Sequence, residues 1–143
     1  WKGMDFAAQA EAIRSLTEKY TVDYIGIDAT GIGQGVYQLV RSFFPAARAL
    51  RYTPEMKTAM VLKAKDTIRR GCLEYDAGAT DITQSFMAIR KTMTSSGRSS
   101  TYEASRSEEA SHADIAWATM HALLNEPLAA GSGMHSTSIL DIN

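Results

Sequence analysis

The feature that most constrains the fold is a short apolar run, residues 23–29, that leads directly into a glycine-rich turn. The run is bounded by a turn and too short for a typical helix, so it predicts a buried strand. Behind the turn, apolar residues at helical spacing predict a helix over residues 35–44, which Pro45 ends. Residues 47–52 predict a second strand. Because a helix connects the two strands, we expect them to be parallel within an α/β layer fold.

Four further segments show the spacing of apolar residues that is typical of amphipathic helices. They span residues 5–20, 54–70, 80–94 and 107–125, the last beginning at either Ser107 or Ser111. The polar, glycine-containing stretch 95–106 predicts either a flexible loop or an exposed hairpin, and 72–75 predicts a short extended piece. Residues 128–143 are rich in small residues and predict a flexible tail behind a domain at 1–127.

Composition and charge exclude several classes of protein. The net charge is −1, which argues against a polycationic nucleic-acid binder, although basic residues do cluster locally. Cys72 is the single cysteine, so the chain has no internal disulfide framework and fits a reducing compartment. No apolar run approaches the roughly 18 residues that a membrane span needs.

Asp28 is the most informative single position, because it ends the first predicted strand directly before the glycine-rich turn. In open α/β sheets, ligands bind outside the carboxyl ends of the strands. A carboxylate held rigidly there suits Mg²⁺ or Mn²⁺. Alternatively, Asp28 caps the turn by accepting hydrogen bonds from amides near Gly31. The residues alone leave both interpretations open.

Asp114 has a similar ambiguity. Together with Ser111 it has the S-x-x-D form of a capping box, in which the acid binds the amide of the cap residue. The neighbouring Ala113, Ala116 and Ala118 are small enough for the helix to pack closely against a sheet, which would bring the acid to the ends of strands. Before any family is considered, capping is slightly favoured.

Two stretches resemble the acidic motifs of the nuclease domains of large terminase subunits, the motor proteins that package DNA in tailed phages. Residues 24–36 (YIGIDATGIGQGV) are similar to the second acidic motif, and residues 111–118 (SHADIAWA) to the last. Residues 51–71 are similar to the strand and helix between these motifs, and the similarity runs over roughly residues 1–125. The resemblance implies an RNase H-like layer fold, with a partly parallel sheet flanked by helices.

The same resemblance implies a chemistry. Asp28 and Asp114 are expected to be catalytic and to bind Mg²⁺ or Mn²⁺, with two ions in the complete domain, for hydrolysis of double-stranded DNA. Thr30 and His112 are expected beside the two acids. In the family the first acid lies on the strand that opens the domain. This chain begins after that strand, so we expect an N-terminally truncated domain that is inactive alone.

Basic residues are expected to hold the DNA backbone without reading bases. They are Lys57, Arg90, Lys91, Arg98 and Arg106. The resemblance also implies a portal protein and a small terminase subunit as partners, action in the host-cell cytoplasm, and no membrane partner.

Two other functions remain open at this point. One is a different RNase H-like nuclease, such as a junction resolvase or a transposase-type recombinase, which would differ in its DNA substrate. The other is a non-catalytic α/β module that docks a portal or another protein, in which Asp28 and Asp114 serve as caps. Binding of Mn²⁺ at the two acids separates the docking module from the nucleases.

Overall fold

The computed structural model describes residues 3–104 and 113–127. In chain order the elements are α1 (Phe6–Lys19), β1 (Gly26–Asp28), α2 (Gly33–Phe43), β2 (Arg48–Leu50), α3 (Pro54–Arg69), α4 (Thr80–Met87), β3 (Ile89–Met93), β4 (Ser100–Ala104) and α5 (Ala113–Asn125). The predicted tail at 128–143 and both predicted start points of the last helix, Ser107 and Ser111, lie outside the described residues. None of the described helices is both long and apolar enough to cross a membrane.

The strand–turn–helix–strand unit that the sequence predicts is present. Strands β1 and β2 pair in parallel, as expected, with Asp28 opposite Leu50 at their carboxyl ends. Each strand covers three residues, fewer than predicted. Helix α2 begins at Gly33, where a Cβ atom would lie 1.8 Å from the carbonyl oxygen of Asp28. A glycine is therefore required for the helix to start this close to the strand end.

Helix α3 has the end signals that the sequence indicates. The Oγ1 atom of Thr53 accepts a hydrogen bond from the amide of Met56 at 3.2 Å, and Pro54 is the first helical residue. Beyond the last turn, Gly71 adopts a positive φ of 67°, which ends the helix. Helix α3 begins at Pro54, shortly after β2 ends at Leu50, so its first turn lies near the carboxyl end of that strand.

Two hydrophobic clusters hold the helices in place. The first joins α3 to α5 and consists of Met60, Val61, Ala64, Ala116, Met120 and Leu123. The second joins α1, α2 and the segment before β2, and consists of Ala10, Val36, Val40 and Ala47. Of the small residues expected to let α5 pack closely, Ala113 and Ala116 are buried and Ala118 is exposed. Helix α5 also packs against β1.

The helix predicted over 80–94 is wrong in its second half. Helix α4 ends at Met87, and the following residues form β3, which pairs antiparallel with β4. The apolar spacing placed Met93 on a buried helical face, yet its exposure is 59%. Strand β3 forms because its backbone N–H and C=O groups make hydrogen bonds with β4. Local periodicity does not reveal such a partner. Of the two predictions for 95–106, the hairpin is present through residue 104, whereas 72–75 forms no strand.

Candidate active site

Asp28 lies where the sequence places it, at the carboxyl end of β1. Its Oδ1 atom accepts a hydrogen bond from the amide of Thr30 at 2.9 Å, so the expected turn cap exists. In residues 3–104 and 113–127 this is the one hydrogen bond found for the carboxylate. One oxygen therefore fixes the side chain while the second stays available to a ligand.

Thr30 connects the ends of the two parallel strands. Its Oγ1 atom accepts a hydrogen bond from the amide of Tyr52 at 3.1 Å. The main chain nearby is paired as well, because the amide of Ala29 donates to the carbonyl of Leu50 at 2.8 Å. A continuous chain of contacts thus runs from the Asp28 carboxylate through Thr30 to Tyr52.

Helix α5 contributes the other side of the site. Asp114, Trp117 and His121 are spaced by three and four residues, so they lie on one face of this helix. The ring of Tyr52 contacts that face: its centroid is 5.2 Å from the Trp117 ring and 5.3 Å from the His121 ring, which it meets edge-on. Asp114 is exposed at the first turn, on the face turned towards Tyr52.

The Tyr52 hydroxyl lies within the electric field of both acids. Burial raises the pKa of Tyr52 well above its usual value, and the negative charges of Asp28 and Asp114 raise it further. Contacts agree with this effect, because the amide of Tyr52 binds Thr30, the partner of Asp28, and its ring packs on Trp117 of the helix that carries Asp114. The phenol stays protonated and is a hydrogen-bond donor.

His121 is a buried neighbour of the site. It is 8% exposed, its Nδ1 atom lies 3.4 Å from the carbonyl oxygen of Gly26, and its Nε2 atom is buried without a hydrogen-bond partner in the described part of the chain. Burial lowers the pKa of His121, against smaller opposing effects of the Gly26 carbonyl and of Asp28. The imidazole is therefore mainly neutral near pH 7, and it packs between the first residue of β1 and the ring of Tyr52.

A surface depression opens at the residues that directly follow β1 and β2. It is lined by Ala29, Thr30, Gly31, Gln34, Arg51, Tyr52 and Thr53. Gly31 has a positive φ of 64° at its rim, where a side chain would be strained. The depression lies at the carboxyl ends of β1 and β2, which is where open α/β sheets bind ligands.

The acids fit a divalent cation in their chemistry, because carboxylate oxygens are the preferred ligands of Mg²⁺ and Mn²⁺. Asp28 and Asp114 supply two carboxylates. Residues 3–104 and 113–127 contain no group of three or more His, Cys, Asp or Glu side chains that would hold a metal ion. The described residues therefore form no complete metal site by themselves.

The predicted basic residues are spread over two places. The Nζ atom of Lys57 lies 5.9 Å from the centroid of the Tyr52 ring, so Lys57 lies beside the site. Three others, Arg90, Lys91 and Arg98, are exposed on the β3–β4 hairpin. Arg90 also donates a hydrogen bond to the carbonyl of Met87. The remaining predicted site residues, Arg106 and His112, lie outside the described residues.

Sequence reasoning missed Tyr52 and His121. In the sequence, Tyr52 is only the last residue of a predicted strand, and His121 only one residue of a predicted helix. For His121 a signal was present, since it lies seven residues after Asp114 and so on the same helical face. For Tyr52 the signal was its place just after β2, at the same sheet edge as Asp28.

Comparison with known proteins is consistent across sequence and fold. A family model described as the terminase RNaseH-like domain matches residues 1–126. The chain is 82% identical over 140 residues to the terminase ATPase subunit of Escherichia phage P2, which covers 98% of this chain and 24% of that protein. It is 44% identical over 130 residues to the probable terminase ATPase subunit of Haemophilus phage HP1 (strain HP1c1), covering 90% of this chain and 21% of that protein.

A solved structure has the same fold. The large terminase nuclease from the thermophilic phage G20c, in a crystal structure with bound cobalt, matches with a TM-score of 0.72 at 17% identity. The match covers 87% of this chain and 64% of that one. The RNase H-like fold expected from the acidic motifs is therefore confirmed, and the chain spans less than a quarter of the length of the curated relatives it matches.

Proposed function

Because this chain belongs to the family of terminase RNaseH-like domains, we propose that it is the DNA-cutting domain of a large terminase subunit. Its substrate is double-stranded DNA, which it hydrolyses during genome packaging. In that reaction a water oxygen bonds to phosphorus, the bond from phosphorus to the leaving oxygen breaks, and the leaving oxygen takes up a proton. The family membership favours this substrate over the branched junctions or transposon ends of other RNase H-like nucleases.

The observation that carries the proposal is that Tyr52 joins the two parts of the fold that carry the acids, through its amide to Thr30 and its ring to Trp117. Asp28 comes from the end of β1 and Asp114 from the first turn of α5, yet the charges of both raise the pKa of the same phenol. Converging acids from a strand end and a helix start are what a nuclease with divalent ions requires. They support Asp28 and Asp114 as the catalytic, metal-binding residues.

The cation would be Mg²⁺ or Mn²⁺, held by Asp28 and Asp114, with two ions in the complete domain. When bound, it supplies positive charge to the phosphodiester and lowers the pKa of the attacking water. The hydrogen bond from the Thr30 amide to Asp28 holds one ligand in place beforehand. The solved G20c nuclease is described with bound cobalt, which supports a metal site on this fold.

DNA would be held by its phosphates. Lys57 lies beside the Tyr52 ring and so within reach of a phosphate at the acids. The exposed hairpin residues Arg90, Lys91 and Arg98, with Arg106 after them, would hold the backbone further along. Thr30 and His112 would support the acids. We place the complete subunit in the host-cell cytoplasm, together with a portal protein and a small terminase subunit.

The proposal is tested in a full-length large subunit, for which the phage P2 protein serves when its own segment is replaced by this chain. We expect this chimera to cut plasmid DNA with Mn²⁺, and Asp28→Asn or Asp114→Asn to abolish cutting. Asp23→Asn is the matched control, an exposed acid that precedes β1. This chain alone is expected to be inactive. Cutting that persists in both Asp28→Asn and Asp114→Asn would contradict the assignment and favour a docking module.

A further inference from the structure

We propose that the hydroxyl of Tyr52 donates a hydrogen bond to a non-bridging oxygen of the phosphodiester that is cut. The inference rests on the proposed function and adds to the acids a residue that contacts the substrate. Its basis is the way in which two separate parts of the fold hold this side chain at the acids.

From the sheet side, Tyr52 is tied to Asp28 through one residue. Thr30 donates its amide to the Asp28 carboxylate at 2.9 Å and accepts the Tyr52 amide on its hydroxyl at 3.1 Å. Strand pairing brings the same two segments together, because Asp28 lies opposite Leu50. The main chain of Tyr52 therefore has a fixed position relative to the carboxylate, at the depression that Tyr52 itself lines.

From the helix side, the ring of Tyr52 is held by the face of α5 that carries Asp114. Trp117 packs at 5.2 Å and His121 meets the ring edge-on at 5.3 Å. Lys57 approaches to 5.9 Å from the ring centroid. Three neighbours around one ring leave it little freedom, so the hydroxyl keeps a defined place.

The hydroxyl itself has no hydrogen-bond partner in residues 3–104 and 113–127, although the ring is half-buried. A phenol carries its proton throughout the neutral range, and burial raises the pKa of this one further. The protonated Tyr52 hydroxyl is therefore a hydrogen-bond donor that has no acceptor within the described residues. When the carboxylate oxygens are engaged by a cation, the acceptor left at this place is an anionic oxygen of the substrate phosphate.

The Tyr52 hydroxyl would also offset part of the repulsion between the two acids and the phosphodiester. Asp28 and Asp114 repel a phosphodiester, and this repulsion is only partly offset by Lys57 against the Tyr52 ring and by Arg51 in the depression. A neutral donor at a fixed distance binds the anionic phosphate oxygen in the ground state and binds it more strongly as its negative charge grows in the transition state. We therefore expect Tyr52 to affect kcat more than the affinity for DNA, which many other phosphate contacts maintain.

The test is Tyr52→Phe in the chimeric full-length subunit, which keeps the ring and removes the hydroxyl. We expect kcat for duplex cutting to fall by about 10- to 100-fold, the range for a lost hydrogen bond to a charged group. KM and duplex affinity in Ca²⁺ should change much less than kcat, and binding of Mn²⁺ and the melting temperature should match wild type. Tyr75→Phe is the matched control, because the Tyr75 hydroxyl binds Thr83 at an exposed site.

A substrate change gives a second, independent readout. In modified duplexes, sulfur replaces one or the other non-bridging oxygen of the phosphodiester that is cut. Sulfur is a weaker hydrogen-bond acceptor than oxygen, so it weakens the bond from Tyr52 when it replaces the oxygen that Tyr52 contacts. For that stereoisomer, sulfur should lower kcat less in Tyr52→Phe than in wild type. An unchanged kcat in Tyr52→Phe would overturn the role of Tyr52. So would additive effects of Tyr52→Phe and sulfur substitution on kcat for both stereoisomers. A loss of kcat that is accompanied by lost Mn²⁺ binding or a lower melting temperature would also overturn it. If wild type fails to cut, or if both Asp28→Asn and Asp114→Asn cut normally, it is the proposed function itself that fails.

Discussion

One carboxylate oxygen of Asp28 accepts the Thr30 amide, and the other has no hydrogen bond in the described part of the chain. The two interpretations of Asp28, turn cap and metal ligand, are therefore compatible at the level of single atoms. A cap that uses one oxygen lowers the cost of ordering the side chain when a cation binds to the other. Capping by an acid at a strand end is thus no argument against a catalytic role.

Asp28→Asn should remove the metal site and leave the turn intact. The amide oxygen of asparagine still accepts the Thr30 amide, whereas the charge that attracts the cation is lost. In this chain we expect weak binding of Mn²⁺, since two carboxylates supply few oxygens and little charge. Isothermal calorimetry should show a small signal in wild type and in Asp23→Asn, and none in Asp28→Asn. Tight binding that survives Asp28→Asn would place the metal elsewhere.

At the residue scale, the sequence identifies the two acids as candidate site residues, but it does not predict their contacts with Tyr52 and His121. Asp28 and Asp114 belong to short motifs whose order and separation are informative. The contact of Tyr52 with Thr30 spans 22 residues, and that of His121 with Gly26 spans 95. The first contact depends on the pairing of β1 with β2 and the second on how α5 packs against β1, which local patterns do not encode.

At the scale of elements, α5 is fixed at its first turn by another helix. The buried Oγ of Ser85 on α4 accepts a hydrogen bond from the amide of Ala116 at 2.8 Å. Ser85→Ala would leave that buried amide without this partner, so we expect the free energy of unfolding to fall by about 1–3 kcal/mol. Urea denaturation measures the loss, with Ser42→Ala as the exposed control on α2. Equal stability of the two variants would show that Ser85 does not fix α5.

The start of α2 makes a second prediction at this scale. A Cβ on Gly33 would lie 1.8 Å from the carbonyl oxygen of Asp28, which is backbone and unable to turn aside. Gly33→Ala should therefore lower the free energy of unfolding by about 1–3 kcal/mol or more. Thermal denaturation measures this against Gln34→Ala, an exposed change one residue later. A melting temperature equal to that of Gln34→Ala would mean that the helix start moves freely.

Local signals predicted those elements whose ends carry specific residues. Thr53 and Pro54 begin α3, and Gly71 follows its end, as the sequence indicated. The segment around Ile89 carried no such signal, and its apolar spacing continued that of α4. This segment forms a strand because β4 pairs with it, and this tertiary contact outweighs the local helical propensity.

At the scale of the whole molecule, the two acids of the site and the exposed basic residues of the hairpin lie on different parts of the described chain, although the net charge is −1. The acids Asp28 and Asp114 lie near Tyr52, and the exposed basic residues Lys91 and Arg98 lie on a hairpin that packs against α3. A nuclease needs both, because the cation site must be negative while the phosphate backbone must be attracted. Neutral total charge is therefore compatible with DNA binding when the charges are sorted in this way.

The last prediction tests whether the hairpin holds DNA. Each phosphate contact that is removed should reduce the slope of log K against log salt by about 0.9. Duplex affinity of this chain across a salt series should therefore show a shallower slope for Lys91→Ala with Arg98→Ala. Arg14→Ala with Lys19→Ala is the control, because it removes the same charge from α1, where both side chains lie against aromatic rings. If both double variants keep the wild-type slope, the hairpin does not contact DNA. If both lower it equally, the effect is one of net charge and not of position.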